Sequence, residues 1–249
     1  MNIIRSKPTL LSFITLTVLI LILSGCGDDK SPTGSNETYM IAVSTESDST
    51  NVDLADYQIV TIEGEDAVKL SGLVDTEIYT EPNNYVYRLI GSDGFYANMK
   101  GSPDNIYDHL KSGYIVLSTM WVTFDTSLGL INRYNIDDVA ELKILRKIDF
   151  ITPADSLIQY VVDDLPHVTF QDSLDAVALT EFLPLEVLSS SLLYMYDLVA
   201  SDEYTASLTY EEFQAGYYVI SEDRVLYTNP DITGAKKVRM LNRIVARNP

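Results

Sequence analysis

The chain has 249 residues, with 17 Lys and Arg against 36 Asp and Glu, and a formal net charge of −19. Its single Cys and two His exclude a disulfide framework and a zinc site built from four Cys or His ligands. So acidic a chain would be repelled by a phosphate backbone, and we therefore expect no nucleic-acid partner. The hydrophobic content of 46% is sufficient for a packed core.

Residues 1–25 predict a signal peptide. Two cations precede an apolar stretch from Leu10 to Leu23, which is shorter than the roughly 20 residues that a membrane-spanning helix needs. The stretch ends in Leu-Ser-Gly-Cys at 23–26, which resembles the bacterial lipobox, whose Cys carries lipid. We therefore expect Cys26 to be the lipid attachment site, and the alternative is an ordinary secretory signal that happens to end at a Cys.

Processing at Cys26 has consequences for the mature chain. It leaves 15 cations against 36 acids, a net charge of −21, and it commits the only thiol to lipid. Residues 26–37 are small and polar and predict a flexible tether. The expected location is the bacterial cell envelope, with the chain anchored to a membrane: the outer membrane, its periplasmic side or the cell surface.

Four blocks of sequence recur in the same order, which predicts a tandem repeat. The matched blocks are 66–74 with 175–183, 85–93 with 194–202, 107–118 with 210–221, and 142–148 with 238–244. The first two pairs share one offset, and the second copy then lacks six residues. We predict a first repeat over 38–150, a linker over 151–165 and a second repeat over 166–249.

Each repeat predicts an α+β fold, with a mixed and mainly antiparallel sheet and short helices. Aromatic and branched residues at 85–90 and 194–199 predict strands. Short helices are predicted at 105–112 and 209–215, each ending at a Gly in the position after the helix, Gly113 or Gly216. Apolar residues alternate over 142–150, which predicts a half-buried strand.

The order of these elements resembles the oxidoreductase molybdopterin-binding domain of the sulfite oxidase type. The resemblance rests on Ser-Asp-Gly-Phe at 92–95, Ser-Asp-Glu-Tyr at 201–204, and the basic strands at 143–148 and 237–245. It implies a fold with a β-grasp-like element. Active members of the family bind molybdenum through a Cys thiolate, and neither repeat has a Cys. We therefore expect no cofactor, no catalytic residue and no metal ligand.

The other polar residues that are candidates for sites have structural interpretations. Asp93 and Asp202 recur after matched strands and are interpreted as turn-capping residues in place of cation ligands. His109 and His167 are interpreted as surface residues. The acid pairs at 28–29, 137–138 and 163–164 lack the spacing of a calcium loop and are interpreted as solvated loops.

Two clusters could belong to surfaces. The C-terminal cations are Lys236, Lys237, Arg239, Arg243 and Arg247. They are interpreted as protecting an edge strand, with an anion or lipid-headgroup patch as the alternative. Trp121 and the 17 Tyr could form a glycan-binding or protein-binding surface. However, Tyr occupies every second position at 85 and 87 and at 194 and 196, which favours packing within a sheet.

The sequence favours a non-catalytic, lipid-anchored envelope protein whose repeats bind another envelope protein, a glycan or a small ligand. One alternative is a redox-associated protein that retains a molybdopterin or another cofactor. Another is a purely structural component of the envelope.

Overall fold

The computed structural model describes residues 38–46, 48–97, 105–125, 135–232 and 234–249. These residues form mostly β-sheet with a few short helices, which confirms a sheet-rich fold with short helices. None of their helices has the length and hydrophobicity needed to cross a bilayer. The predicted signal peptide, Cys26 and the tether over 26–37 lie outside the described residues.

Strands predominate along the described chain, and short helices lie between some of them. The strands are β1 (Met40–Ser44), β2 (Ser49–Asp53), β3 (Ile59–Ile62), β4 (Glu65–Lys69), β5 (Tyr85–Gly91), β6 (Gly113–Val116), β7 (Trp121–Phe124), β8 (Val139–Ile151), β9 (Leu157–Val161), β10 (His167–Phe170), β11 (Leu174–Ala178), β12 (Met195–Ala200), β13 (Thr205–Leu208), β14 (Gly216–Val219), β15 (Arg224–Tyr227) and β16 (Leu241–Arg247). The α-helices are α1 (Tyr107–Leu110), α2 (Leu185–Leu188) and α3 (Tyr210–Gln214). Single 3-10 turns include Leu70–Leu73, Pro82–Asn84, Leu179–Phe182 and Ser191–Leu193.

A central sheet of eight strands is organised around β8. Its order is β13-β12-β16-β8-β1-β2, and β5 and β9 also pair with β8. The first part of β8 pairs with β1 and β5, and its last residues pair with β9 and β16. Because one strand of 13 residues serves both groups, the central sheet is continuous from the N-terminal to the C-terminal part of the described chain.

Two small antiparallel sheets accompany the central one. The first small sheet has the order β3-β4-β6-β7, and the second small sheet has the order β10-β11-β14-β15. In both, the register is antiparallel throughout. Branched and aromatic residues such as Val68, Ile115, Val177 and Tyr218 are buried, as expected for strands with one face on a core.

Two main hydrophobic cores meet at β8. Leu142 and Ile144 belong to the core of the N-terminal part, with Tyr87 and Leu110. Ile148 and Phe150 belong to the core of the C-terminal part. The alternation predicted a half-buried strand, but Leu145, Arg146 and Lys147 are buried as well, so the middle of β8 is covered on both faces.

The segment 151–165, expected to be a linker, contains a strand. Leu157–Val161 forms β9 and pairs with residues 147–151 of β8. Ile158 and Tyr160 pack against the core of the C-terminal part. The two prolines near this segment limit the strand but do not prevent it, because neither lies within Leu157–Val161.

The predicted helices are shorter than expected, and their glycines have a different role. Helices α1 and α3 have four and five residues, and the residues after them remain right-handed. Gly113 and Gly216 begin strands, and neither has a positive φ. A side chain at Gly113 would lie 2.5 Å from Leu70 Cδ1, and one at Gly216 would lie 2.6 Å from Leu179 Cδ1. Close packing, and not helix termination, explains both glycines.

Two expectations about the C-terminal strand are also corrected. Strand β16 lies between β12 and β8, so its cations do not protect an edge. Leu89 pairs with Leu142, and Leu198, which the sequence match aligns with Leu89, pairs with Ile244. Strand pairing therefore aligns Leu142 with Ile244, whereas the sequence match had aligned it with Val238.

Candidate interaction surface

Four leucines between residues 185 and 193 are exposed, and we call them the leucine face. The exposed fraction is 86% for Leu185, 47% for Leu188, 75% for Leu192 and 66% for Leu193. Leu185 and Leu188 are three positions apart in α2 and therefore share one side of the helical turn. Single exposed leucines are common, but a group of large apolar side chains on one short segment is typical of a binding surface.

Buried neighbours hold the leucine face in place. Val187 and Ser191 are 2% and 6% exposed, so the segment is attached to the core between its exposed leucines. The hydroxyl of Tyr196 donates to the carbonyl oxygen of Ser191 at 2.9 Å. The main-chain N–H of Leu193 donates to Ser190 O at 2.9 Å. The leucines thus belong to a segment that buried side chains and hydrogen bonds attach to the core.

The sequence match places residues 76–84 against 185–193, and polar side chains occupy three of the leucine positions there. Pro82–Asn84 and Ser191–Leu193 are both 3-10 turns that precede a strand of the central sheet. Where the later segment has Leu185, Leu192 and Leu193, the earlier one has Thr76, Asn83 and Asn84. The 3-10 turn at Pro82–Asn84 therefore forms without the leucines that Ser191–Leu193 has at its second and third positions.

The leucine face is nearly free of charge in an otherwise acidic chain. Glu186 is the only charged residue from Pro184 to Tyr196. Three exposed acids lie close together in sequence at the earlier segment: Asp75 immediately before it, and Glu77 and Glu81 within it. Binding an apolar partner would therefore desolvate few charges at the leucine face, and more at the earlier segment.

A second cluster of polar groups lies where the two cores meet on β8. The guanidinium of Arg146 lies 3.5 Å from Asp223 Oδ2 and 5.3 Å from the centre of the Tyr85 ring. The Tyr218 hydroxyl donates to Asp223 Oδ1 at 2.6 Å, and the main-chain N–H of Arg146 donates to the Glu46 carboxylate. Because its members come from before, within and after β8, the cluster joins the two parts of the chain.

Glu46 should make the stability of the protein depend on pH. Burial raises the pKa of Glu46 above its ordinary value of 4.5, although hydrogen bonds from main-chain N–H groups, including that of Arg146, act in the opposite direction. The folded state then holds more protons than the unfolded state just above pH 4.5, so this residue makes stability fall as pH rises through that window. Glu46→Gln should remove that part of the fall.

Urea unfolding of both proteins between about pH 4 and pH 7 measures the effect. The matched control is Glu77→Gln, because Glu77 is exposed. This control should keep the pH dependence of the wild type. A Glu46→Gln variant with an unchanged pH profile would contradict the assignment.

The aspartates after the matched strands have the predicted role in turns. Asp93 Oδ1 accepts a hydrogen bond from the main-chain N–H of Phe95 at 2.8 Å. Asp202 Oδ1 accepts one from the main-chain N–H of Tyr204 at 3.0 Å. Each carboxylate thus caps its own turn.

The two histidines lie in different environments. His109 is half-buried in α1, where desolvation lowers its pKa, so it is less exposed than expected. His167 begins β10, and its Nδ1 lies 3.0 Å from Asp175 Oδ2.

Most acid pairs and C-terminal cations are engaged in ion pairs or hydrogen bonds. Asp163 and Asp164 bind Lys143 and Arg88, and the Ser92 hydroxyl donates to Asp138. The pair at 28–29 lies outside the described residues. Lys236, Arg243 and Arg247 pair with Glu212, Glu203 and Asp197 at 2.5, 3.4 and 2.6 Å. Each of these three cations therefore faces an acid, and an anion would have to compete with it.

The aromatic residues mainly serve packing. Tyr87 and Tyr196 are fully buried, whereas Trp121 is 38% exposed. Tyr196 stacks on Phe213 with ring centres 4.3 Å apart. Tyr87 in β5 and Tyr196 in β12 are thus core residues, as the alternation had indicated.

The described residues show no metal-binding group. No three His, Cys, Asp or Glu side chains come together among them in a way that could hold a metal ion. No protein-family model, curated protein or solved structure matches the chain. The geometry of the surface therefore carries the argument for binding alone.

The leucine face was missed in the sequence for an identifiable reason. Its leucines follow neither a strand nor a helix period over a useful length, so no pattern separates them from core residues. A position-by-position comparison of 76–84 with 185–193 would have marked the three changes from polar residues to leucine. Whether those leucines are exposed depends on the turns and is seen only in the fold.

Proposed function

We propose that this is a lipid-anchored protein of the bacterial cell envelope that binds another protein and carries out no reaction itself. The observation that carries the binding function is the leucine face. Fully burying one leucine side chain contributes about 1.5–3 kcal/mol of favourable free energy to association. Burying three or four of them against a partner would therefore supply several kcal/mol before the entropic cost of association is counted.

The anchoring function rests on the sequence. Two cations, the short apolar stretch from Leu10 to Leu23 and Leu-Ser-Gly-Cys at 23–26 support acylation at Cys26. Two or more acyl chains give stable membrane attachment, whereas one chain gives only marginal attachment. Other classes of ligand, a glycan or a small molecule, have no comparable support.

We also propose that the chain arose by duplication of one α+β unit. Residues with positive φ recur at matched places: Gly94 and Glu203, Met120 and Asp223, and Asp138 and Met240. The pairing of β5 with β8 and that of β12 with β16 are each interrupted by a register shift at the last residue of β5 or β12. The hydroxyls of Tyr87 and Tyr196 each donate to a main-chain oxygen five residues earlier. Such irregular features are hard to explain by two independent origins.

The molybdopterin fold remains a proposal, and the residues present do not fit the cofactor. A thiolate ligand would have to come from a Cys, and the only Cys is Cys26, outside the proposed fold unit. Among the described residues, the buried arginines that could hold a pyrophosphate are Arg88 and Arg146, and each already faces an aspartate. The absence of a cofactor stays a prediction, which metal analysis of the purified chain tests.

The proposal is tested in membranes from bacteria that produce the full chain. The wild type should sediment with the membranes and should form an adduct with a second protein after chemical crosslinking. Cys26→Ser should remain unprocessed or be released, because it lacks the acylated thiol. A Cys26→Ser chain that is processed normally and stays on the membrane would contradict the anchor, and a wild type without any protein adduct would contradict the binding function.

A further inference from the structure

We infer that the partner is a protein with an apolar surface bordered by Lys and Arg, and that it binds at the leucine face. This face lies near the end of β8, whereas residue 38, the first residue of the folded part, lies near the start of β8. The inference rests on the proposed anchoring at Cys26. It identifies the class of partner and the surface that it covers. Two features support the class of partner: charge, and the contrast between the two related segments. Strand register gives the position of the surface.

The position follows from strand register. The folded part begins just before Met40, and Ala42 pairs with Glu141, near the start of β8. The leucine face precedes Met195, which pairs with Arg247, and Val245 pairs with Ile151 at the other end of β8. The start and end of β8 are at most about 40 Å apart, at roughly 3.3 Å per residue.

Charge disfavours a bilayer as the occupant. The mature chain has 15 cations against 36 acids, whereas membrane surfaces with anionic lipids attract basic segments. A second envelope component is therefore the better occupant of the leucine face.

Charge separates a foreign partner from a second copy of the chain. The mature chain has a net charge of −21, so two copies repel each other, whereas cations around an apolar patch would be attracted. The exposed acids Glu181 and Glu186 flank or lie within the leucine face. They are placed to meet Lys or Arg at the rim of a partner's apolar surface.

The two related segments supply a matched experiment. A photo-crosslinking phenylalanine derivative is placed at Leu192 of the full chain in living bacteria, and at Asn83 in a parallel strain. Irradiation should give at least about ten times more of one discrete protein adduct from position 192. Mass spectrometry of that adduct should place the crosslink on an apolar peptide with neighbouring Lys or Arg.

A variant with residues borrowed from the earlier segment tests the leucines themselves. Leu185→Thr with Leu193→Asn, in the chain that carries the crosslinker at 192, should reduce the adduct at least about tenfold. Folding should be retained, because the earlier segment has Thr76 and Asn84 at the matched positions. An unfolding midpoint close to that of the wild type, measured by circular dichroism, verifies this.

Several outcomes would overturn the inference. They are no adduct from 192, equal adducts from 192 and 83, an adduct of two copies of this chain, an adduct with lipid, and a crosslinked peptide without apolar and basic residues. Sedimentation of the same cells separates the two proposals. A membrane-bound chain without the expected adduct contradicts only the partner, whereas a chain that does not sediment contradicts the anchor.

Discussion

Replacing Arg146 by Met should destabilise the protein by about 2–4 kcal/mol, because it removes the cation from a buried cluster and leaves the carboxylates of Asp223 and Glu46 there without its positive charge. Arg146 is 4% exposed, so water cannot replace the lost contact. Asp223 keeps 35% of its side-chain surface in solvent, which limits the loss. Urea unfolding at about pH 7 measures the change in the free energy of unfolding.

A double-mutant cycle with Asp223→Asn distinguishes the ion pair from a loss of packing. Asn tolerates the left-handed conformation of residue 223, whose φ is 42°. The double variant should lose at least about 1 kcal/mol less of the free energy of unfolding than the two single variants lose in sum. Lys111→Met, at an exposed ion pair with Asp108, is the control and should leave stability unchanged. Additive effects of Arg146→Met and Asp223→Asn would contradict this account.

Gly113→Ala and Gly216→Ala should each destabilise the protein by about 1–3 kcal/mol through overpacking. The larger effect is expected at Gly113, where a new Cβ would lie 2.6 Å from Phe124 Cε1 as well as 2.5 Å from Leu70 Cδ1. At Gly216 the nearest atoms are Leu179 Cδ1 at 2.6 Å and Tyr227 Cε1 at 3.1 Å. An aromatic ring fixed in a core moves less easily than the end of a leucine.

Gly72→Ala is the matched control for both glycines. A Cβ at Gly72 would meet no atom within 4 Å, so alanine there should be neutral or slightly stabilising. Thermal unfolding followed by circular dichroism compares the three variants. A Gly113→Ala protein as stable as the Gly72→Ala protein would show that the small sheet repacks freely around residue 113.

Local patterns predicted individual strands well and their arrangement poorly. The aromatic and branched residues of β5 and β12 were sufficient to predict these two strands, because a strand in contact with a core is rich in such residues. Strand β9 was missed because two nearby prolines suggested a connection, although the branched and aromatic residues of Leu157–Val161 favour a strand. Pairing across long separations, such as β1 with the start of β8, depends on tertiary contacts that have no local signal.

The candidate site was the least predictable part. Turn-capping by Asp93 and Asp202 could be predicted, since an Asp before a turn bonds to the main chain two residues on. The ion pair between Arg88 and Asp164 joins residues 76 positions apart, and composition alone cannot pair them. Leucines on a surface segment look the same in sequence as leucines in a core, and only the fold shows which are exposed.

The shared strand β8 makes the two parts of the molecule inseparable. If the chain were cut after Arg146, each fragment would lose strand partners and expose unpaired N–H and C=O groups along an edge. Such an edge invites a strand from another molecule, so a fragment would tend to exchange strands between copies and form swapped dimers or aggregates. Expression of either part alone is therefore a poor strategy, and insertions belong in turns that leave β8 intact.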